Sequence, residues 1–210
     1  MTPEVFVETF RAQKASAILR TSIASAVEPA MNAAIDGGFR IIEFTLTTPD
    51  ALGHISKFAQ QDGLIVGAGT VLTPEDAHAA VDAGATFLVS PVTDEAVIEV
   101  ALDRNVAMMP GTFTPTEMLR AHRAGAQLQK LFPAPRTGPK FVKATLGPMP
   151  FLNIVPTNGV HLNNAASFLK AGATALGFVA SLFDSNDIGN RNFAAIEARA
   201  EKLLSAIQDC

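Results

Sequence analysis

Two charged residues sit inside runs that are otherwise apolar. Glu43 lies in Arg40-Ile41-Ile42-Glu43-Phe44-Thr45, and Lys130 in Leu128-Gln129-Lys130-Leu131-Phe132-Pro133. An uncompensated charge in an apolar interior is costly, so each needs a chemical reason to be there. A desolvated lysine has a lowered pKa, becomes a usable nucleophile and can attack a ketone to give an imine that accepts electrons. A carboxyl beside it can move the protons. The competing reading is a structural Glu43–Lys130 ion pair. The remaining lysines, Lys14, Lys57, Lys140, Lys143, Lys170 and Lys202, fall in segments that read as helix or loop, where solvent keeps the amine protonated.

To bring those two side chains together the chain needs strands that end at one place. Short apolar runs recur at Ala17-Leu19, Phe39-Phe44, Leu64-Gly67, Thr86-Val89, Val106-Met109, Ala126-Leu131, Phe151-Val155 and Thr174-Gly177, each followed by an amphipathic stretch. Eight such units predict an α/β fold, a (β/α)8 TIM barrel, over residues 1–210 as one domain. A doubly wound open sheet would share the alternation, but no Gly-x-Gly-x-x-Gly follows the first strand. Period-2 alternation puts Ile41, Glu43 and Thr45 on one strand face and Leu128, Lys130 and Phe132 on another, so both charges can point into the lumen. Val5, Phe6 and Phe10 stand at helical spacing ahead of the first strand and predict an extra N-terminal helix, as barrel cap or subunit contact.

Punctuation supports the unit boundaries. Thr48-Pro49-Asp50, Thr73-Pro74-Glu75-Asp76 and Thr114-Pro115-Thr116-Glu117 read as helix starts, with a Thr cap, Pro in the first turn and acid at the positive end of the dipole. An x-Ala-Gly-Ala signature around Gly84, Gly125 and Gly172 closes helices and opens strands. The Pro-rich run from Phe132 to Pro139 falls where a βα loop belongs, on the face that carries barrel active sites.

Composition narrows the function. With 48% hydrophobic and 17% charged residues the chain reads as globular rather than disordered. The net charge of -4, without basic clusters interleaved with aromatics, disfavours a nucleic-acid partner. Neither a signal peptide nor a membrane span is legible, and the expected compartment is the cytoplasm. The single cysteine, Cys210, leaves no disulfide framework and no Cys-based metal site. His54, His78, His122 and His161 are scattered, which counts against a metal-dependent enzyme; His161 alone follows a strand-end loop near the expected pocket.

The strand-end motifs Ile42-Glu43-Phe44-Thr45-Leu46-Thr47-Thr48-Pro49, Gly67-Ala68-Gly69-Thr70-Val71-Leu72-Thr73, Ser90-Pro91, Pro110-Gly111-Thr112, Lys130-Leu131-Phe132-Pro133-Ala134 and Pro156-Thr157-Asn158-Gly159-Val160 follow one another in order along nearly the whole chain. Together they resemble the family of 2-keto-3-deoxy-6-phosphogluconate (KDPG) and 4-hydroxy-2-oxoglutarate (KHG) aldolases. The resemblance implies a Schiff-base aldolase that cleaves a 2-keto acid to pyruvate and an aldehyde, glyceraldehyde 3-phosphate or glyoxylate. It implies Lys130 as the imine-forming residue, Glu43 as proton shuttle, Thr70 near the pyruvate carboxylate, and Pro91, Phe132 and Thr157 around the keto acid. It further implies a homotrimer, with neither metal nor organic cofactor required.

Two departures from the family pattern bear on the substrate. Where sugar-phosphate members commonly carry an Arg that grips the substrate carboxylate, this chain has Thr47, so a bidentate cation is replaced by a hydroxyl. Backbone N–H groups near Gly69-Thr70, or a cation from elsewhere such as Arg136 or Lys140, would have to serve. The usual Gly-Gly of the phosphate site is Asn158-Gly159, and its Gly-Ser partner aligns with Val179-Ala180, with Ser181 one residue later. An unphosphorylated 2-keto-3-deoxy acid is therefore an alternative substrate. Two other classes stay open: a non-covalent barrel isomerase or synthase acting on a phosphate ester, and a ligand-binding barrel without activity.

Overall fold

The computed structural model describes residues 1–210. A leading helix, α1 (Pro3–Gln13), is followed by parallel strands β1 (Ala15–Leu19), β2 (Ile41–Thr45), β3 (Ile65–Gly69), β4 (Phe87–Val89), β5 (Ala107–Met109), β6 (Gly111–Thr112), β7 (Gln129–Leu131), β8 (Ile154–Pro156) and β9 (Leu176–Phe178). Between and after them run α2 (Val27–Asp36), α3 (Ala51–Phe58), α4 (Pro74–Asp82), α5 (Glu95–Asp103), α6 (Pro115–Arg123), α7 (Gly138–Leu146), α8 (Ala165–Lys170), α9 (Ser185–Gly189) and α10 (Phe193–Ser205). All eight expected strands are present. The fifth is interrupted at Pro110, which has no N–H to give the ladder. Its first piece, β5, pairs with β4, and its second, β6, pairs with β7.

The ring closes on both sides of that interruption. Lys130 N–H donates to Pro110 O at 3.0 Å, and a bridge between Thr157 and Gly177 joins β8 to β9, which in turn pairs with β1. The result is the (β/α)8 barrel the sequence predicts.

Alternation along the strands divides the apolar residues into two groups. Ala17, Leu19, Ile42, Phe44, Val66, Ala68, Leu88, Met108, Leu131, Ile154, Leu176 and Phe178 face outward into the layer shared with the helices. Ile41, Phe87, Val89, Ala107, Met109, Leu128, Val155 and Ala175 face inward, and Phe6 and Phe10 of α1 join them. The Phe6 ring stacks on Phe87 with centroids 4.6 Å apart. Thus α1 is the barrel cap: it stoppers the N-terminal end of the lumen, and the polar strand-end residues are left at the other end.

Helix punctuation is realised in two of the three Thr-Pro sites. Thr73 accepts from Asp76 N–H, and Thr114 forms a capping box with Glu117. Thr48 does not cap α3. Its hydroxyl is buried, bonded to Thr45 Oγ1 at 3.0 Å and donating to Leu19 O at 3.3 Å, because it ties the end of β2 to the end of β1. The residue before α3 is instead Asp50, in a left-handed conformation and without a side-chain cap. Gly84, Gly125 and Gly172 all take positive φ after their helices, as the repeated signature predicts.

Candidate active site

Glu43 and Lys130 are brought into the same lumen from opposite sides of the ring. Glu43, on β2, is fully buried, and neither carboxyl oxygen has a hydrogen-bond partner. Lys130, on β7, is 4% exposed, with Nζ 4.9 Å from the centroid of the Phe132 ring. No ion pair joins them. Each is near enough for its charge to act on the other, but desolvation dominates both. Burial pushes the Glu43 carboxyl up, against the pull of Lys130 and Arg20. Burial pushes the Lys130 amine below 10.5, with Glu43 opposing the shift and Arg20 adding to it. Both shifts run toward the uncharged form, the direction that makes a lysine more nucleophilic.

Small residues make the space. A Cβ on Gly69 would overlap Oε1 of Glu43, and one on Gly177 would come within 2.6 Å of Thr157 Oγ1 and 2.8 Å of Ile18 Cδ1. Thr157 is itself fully buried with an unpartnered hydroxyl. At the end of β2, Thr45 Oγ1 bonds Thr47 Oγ1 at 3.1 Å, which sets the exposed Thr47 at the rim.

Two open clefts lie at the C-terminal mouth, above the buried pair. One, of about 450 Å³, is lined by Arg20, Thr21, Ser22, Thr47, Phe183 and Ser185 among others. The second, of about 250 Å³, includes Pro91, Thr93, Thr112 and Phe132. The expected site residues thus divide: Thr47 borders the first cleft, and Pro91 and Phe132 border the second. Thr70 sits at the end of β3 with φ 60°. That left-handed conformation is unfavourable for a β-branched residue and costs on the order of 1–3 kcal/mol.

The loop after β8 carries two consecutive positive φ values, at Asn158 (59°) and Gly159 (103°). Its carbonyls are held away from the mouth: Ala134 N–H donates to Thr157 O and Asn158 O, and Asn164 Nδ2 donates to Gly159 O at 2.8 Å. The N–H groups of Asn158, Gly159 and Val160 have no intramolecular acceptor, nor do those of Ala180 and Ser181 in the neighbouring loop after β9. Ser181 Oγ is buried and unpartnered. His161 is exposed and tied to Asn164, outside the lumen. Arg136 and Lys140 are exposed and form no ion pair or side-chain hydrogen bond.

Sequence reasoning missed Arg20. It follows β1 directly, and its Nη2 donates to Thr70 Oγ1 at 3.0 Å. Its place one residue beyond an apolar strand, on the face shared with Ser16 and Ile18, was the available signal.

A (β/α)8 barrel with a buried amine at the C-terminal end of its lumen defines an enzyme built for carbonyl chemistry. The family model for KDPG and KHG aldolase matches residues 7–199, and the chain belongs to that family. It is 35% identical over 189 residues to the probable 2-dehydro-3-deoxy-6-phosphogalactonate aldolase of Rhizobium meliloti, covering 87% of this chain and 89% of that one. It is 33% identical over 181 residues to the 2-dehydro-3-deoxy-phosphogluconate aldolase of Treponema pallidum, covering 85% and 86%. Among solved structures, KDPG aldolase from Legionella pneumophila, with pyruvate captured at low pH as a covalent carbinolamine intermediate, superimposes with a TM-score of 0.84 at 25% identity over 94% of this chain and 97% of that one. The protein is an aldolase, a carbon–carbon lyase. No helix is long and apolar enough to cross a membrane.

Proposed function

We propose that the enzyme cleaves a 2-keto-3-deoxy-6-phospho sugar acid to pyruvate and glyceraldehyde 3-phosphate through an imine on Lys130. The observation that carries this reading is the juxtaposition in one lumen of a desolvated lysine and a buried carboxyl whose oxygens have no other partner. Lys130 Nζ attacks the C2 ketone, and Glu43 protonates the departing hydroxyl as the carbinolamine loses water to give a cationic imine. Glu43, now a carboxylate, accepts the C4 hydroxyl proton, directly or through water. The C3–C4 bond breaks, its electrons pass to the imine nitrogen as an enamine forms, and the aldehyde leaves. Protonation of the enamine at C3 and hydrolysis of the imine release pyruvate and restore the free amine.

The distal phosphate is assigned to the unpartnered N–H groups of Asn158, Gly159 and Val160, with those of Ala180 and Ser181 beside them. The sequence makes this cradle look half filled, but the groups that count are backbone donors, and a side chain at Ala180 does not remove its N–H. Pro91, Phe132 and Thr157 line the keto acid. We extend the assignment to a homotrimer in the cytoplasm, with exposed Val92 and Phe113 beside the second cleft as candidate apolar contacts between subunits.

The test is reductive trapping. Pyruvate and borohydride should leave a mass adduct on the peptide containing Lys130 and none in Lys130→Ala. Turnover should then favour the 6-phosphorylated acid over its unphosphorylated counterpart and over 4-hydroxy-2-oxoglutarate. A folded protein without an adduct would sink the covalent reading, and equal turnover of the two sugar acids would sink the phosphate assignment.

A further inference from the structure

Beyond Phe132, the Pro-rich turn that runs to Pro139 has no part in the chemistry above, yet it is built against the loop whose N–H groups are assigned to the phosphate. At its near end, Ala134 N–H donates to Thr157 O at 3.1 Å and to Asn158 O at 2.8 Å. At its far end Gly138 is buried, and a Cβ there would overlap the ring of Phe168 on α8, the helix that follows the same loop. Between these two anchors Gly138 N–H donates to Pro135 O at 2.8 Å, which closes a turn with Arg136 and Thr137 at its tip. Pro135 and Pro139 fix φ on either side and remove freedom the tip would otherwise have.

Charge gives that tip a task. A phosphate monoester carries about -1.5 to -2 charges at neutral pH. The donors assigned to it after β8 and β9 are backbone N–H groups, which supply only partial charge. Neither loop, residues 157–164 or residues 179–184, contains a lysine or an arginine. His161 is tied to Asn164, and Asp184 is turned to the N–H groups of Asn186 and Asp187. Arg136, by contrast, is exposed and has neither an ion pair nor a side-chain hydrogen bond. It stands two residues from Ala134, so its Cα lies within about 7 Å of the residue bonded to Asn158 O.

We propose that Arg136 is the cation of the distal phosphate site: its guanidinium closes over the phosphate held by the N–H groups of Asn158, Gly159 and Val160, and it sets the preference for a 6-phosphorylated acid. The inference rests on the phosphate assignment above and adds a specificity-determining side chain to it. A planar fork can bond two phosphate oxygens while the backbone donors take the others. With no carboxylate partner in the free enzyme, the guanidinium has no competing ion pair to give up when the phosphate arrives. Lys140 is the other unpaired cation nearby, but it lies beyond the Gly138 anchor, in the first turn of α7.

The experiment measures cleavage of the 6-phosphorylated 2-keto-3-deoxy acid and of its unphosphorylated counterpart by wild type, Arg136→Gln, Arg136→Lys and Lys140→Gln. Arg136→Gln should raise KM for the phosphorylated acid about tenfold or more with kcat close to wild type, because the contact is the same in the ground state and the transition state. The kcat/KM for the unphosphorylated acid should change far less. Arg136→Lys should recover part of the loss, as a point charge without the fork. Lys140→Gln removes the same charge from the neighbouring helix and should shift KM less than Arg136→Gln does. Both positions are exposed, so the variants are expected to fold as wild type does.

Equal rises in KM for the two acids in Arg136→Gln would overturn the assignment, since the loss would then lie with the shape of the loop and not with the phosphate. So would a wild-type KM for the phosphorylated acid in Arg136→Gln, or a larger rise in Lys140→Gln. Wild-type enzyme that cleaves the two acids equally well would instead overturn the phosphate assignment itself.

Discussion

Gly69 is the floor on which the Glu43 carboxyl rests: a Cβ at that position would coincide with Oε1 of Glu43. The two lie on adjacent strands two residues out of register, since β2 and β3 pair Glu43 with Gly67 and Thr45 with Gly69, so the carboxyl leans along β3 toward its C-terminal end. A methyl group there must push the carboxyl aside or bend the end of β3, and Thr70 follows directly. Gly69→Ala is expected to fold, because its φ is not in the left-handed region, yet to lose about a hundredfold or more in kcat, the scale of a displaced general acid–base group. Slowed but complete trapping of pyruvate on Lys130 in that variant would show that the amine is intact and the loss lies with Glu43; wild-type kcat would refute the steric argument.

The rate of imine formation follows the fraction of Lys130 that is neutral. Burial holds that amine below 10.5, and the Glu43 charge pulls it part of the way back. Glu43→Gln removes the pull. The pH at which trapping reaches its plateau should therefore move down in Glu43→Gln, while turnover of the full substrate falls by about 10²–10⁴. Initial trapping rates measured across pH give the answer directly, and an upward movement would mean that Glu43 does not act on Lys130 as a charge.

The same shift is a statement about stability. A lysine whose folded pKa lies below its unfolded value releases its proton first in the native state. Between those two values the unfolded chain binds more protons, so stability rises with pH. Lys130→Met removes that slope. In urea unfolding it should be more stable than wild type at neutral pH, by about 1–3 kcal/mol, with the difference shrinking toward alkaline pH. Parallel curves across that range would show that Lys130 is not desolvated in solution.

What could be read in the sequence was whatever depends on local chemistry. Eight strands, the positive-φ glycines at Gly84, Gly125 and Gly172, and the inward placement of Glu43 and Lys130 all follow from periodicity and turn preferences acting over a few residues. The strand limits were less legible. The segment Ala126–Leu131 contributes only Gln129–Leu131 to the sheet, and Phe39 falls before β2, because burial and strand pairing are different constraints. Thr48 was misassigned as a helix cap, because the same hydroxyl that can cap a helix can also bond Leu19 O, a partner 29 residues away. Arg20 and Thr70 are 50 residues apart, and nothing in either segment announces that they meet. The loops after β8 and β9 were only half legible: their side chains depart from the expected glycine pattern, while the unpartnered donors they carry belong to the backbone.

Ser16 shows a polar group in the lumen that the proposed chemistry leaves unused. It is fully buried on β1, opposite Gly177 of β9, and its hydroxyl has no partner. Its register places it beside Ile41, two residues before the level of Glu43, and Ile41 belongs to the apolar inner cluster closed off by α1. A buried hydroxyl without a hydrogen bond forfeits its solvation and gains little in return, whereas a methyl group of nearly the same size loses nothing there. Ser16→Ala should therefore raise the urea midpoint, by an amount equivalent to about 1 kcal/mol or more, with kcat/KM unchanged. Destabilisation would mean that the hydroxyl has a partner in solution, an ordered water being the natural one. A fall in kcat/KM at unchanged stability would mean that this water belongs to the proton path to Glu43, and Ser16 would then join the site as a positioning residue.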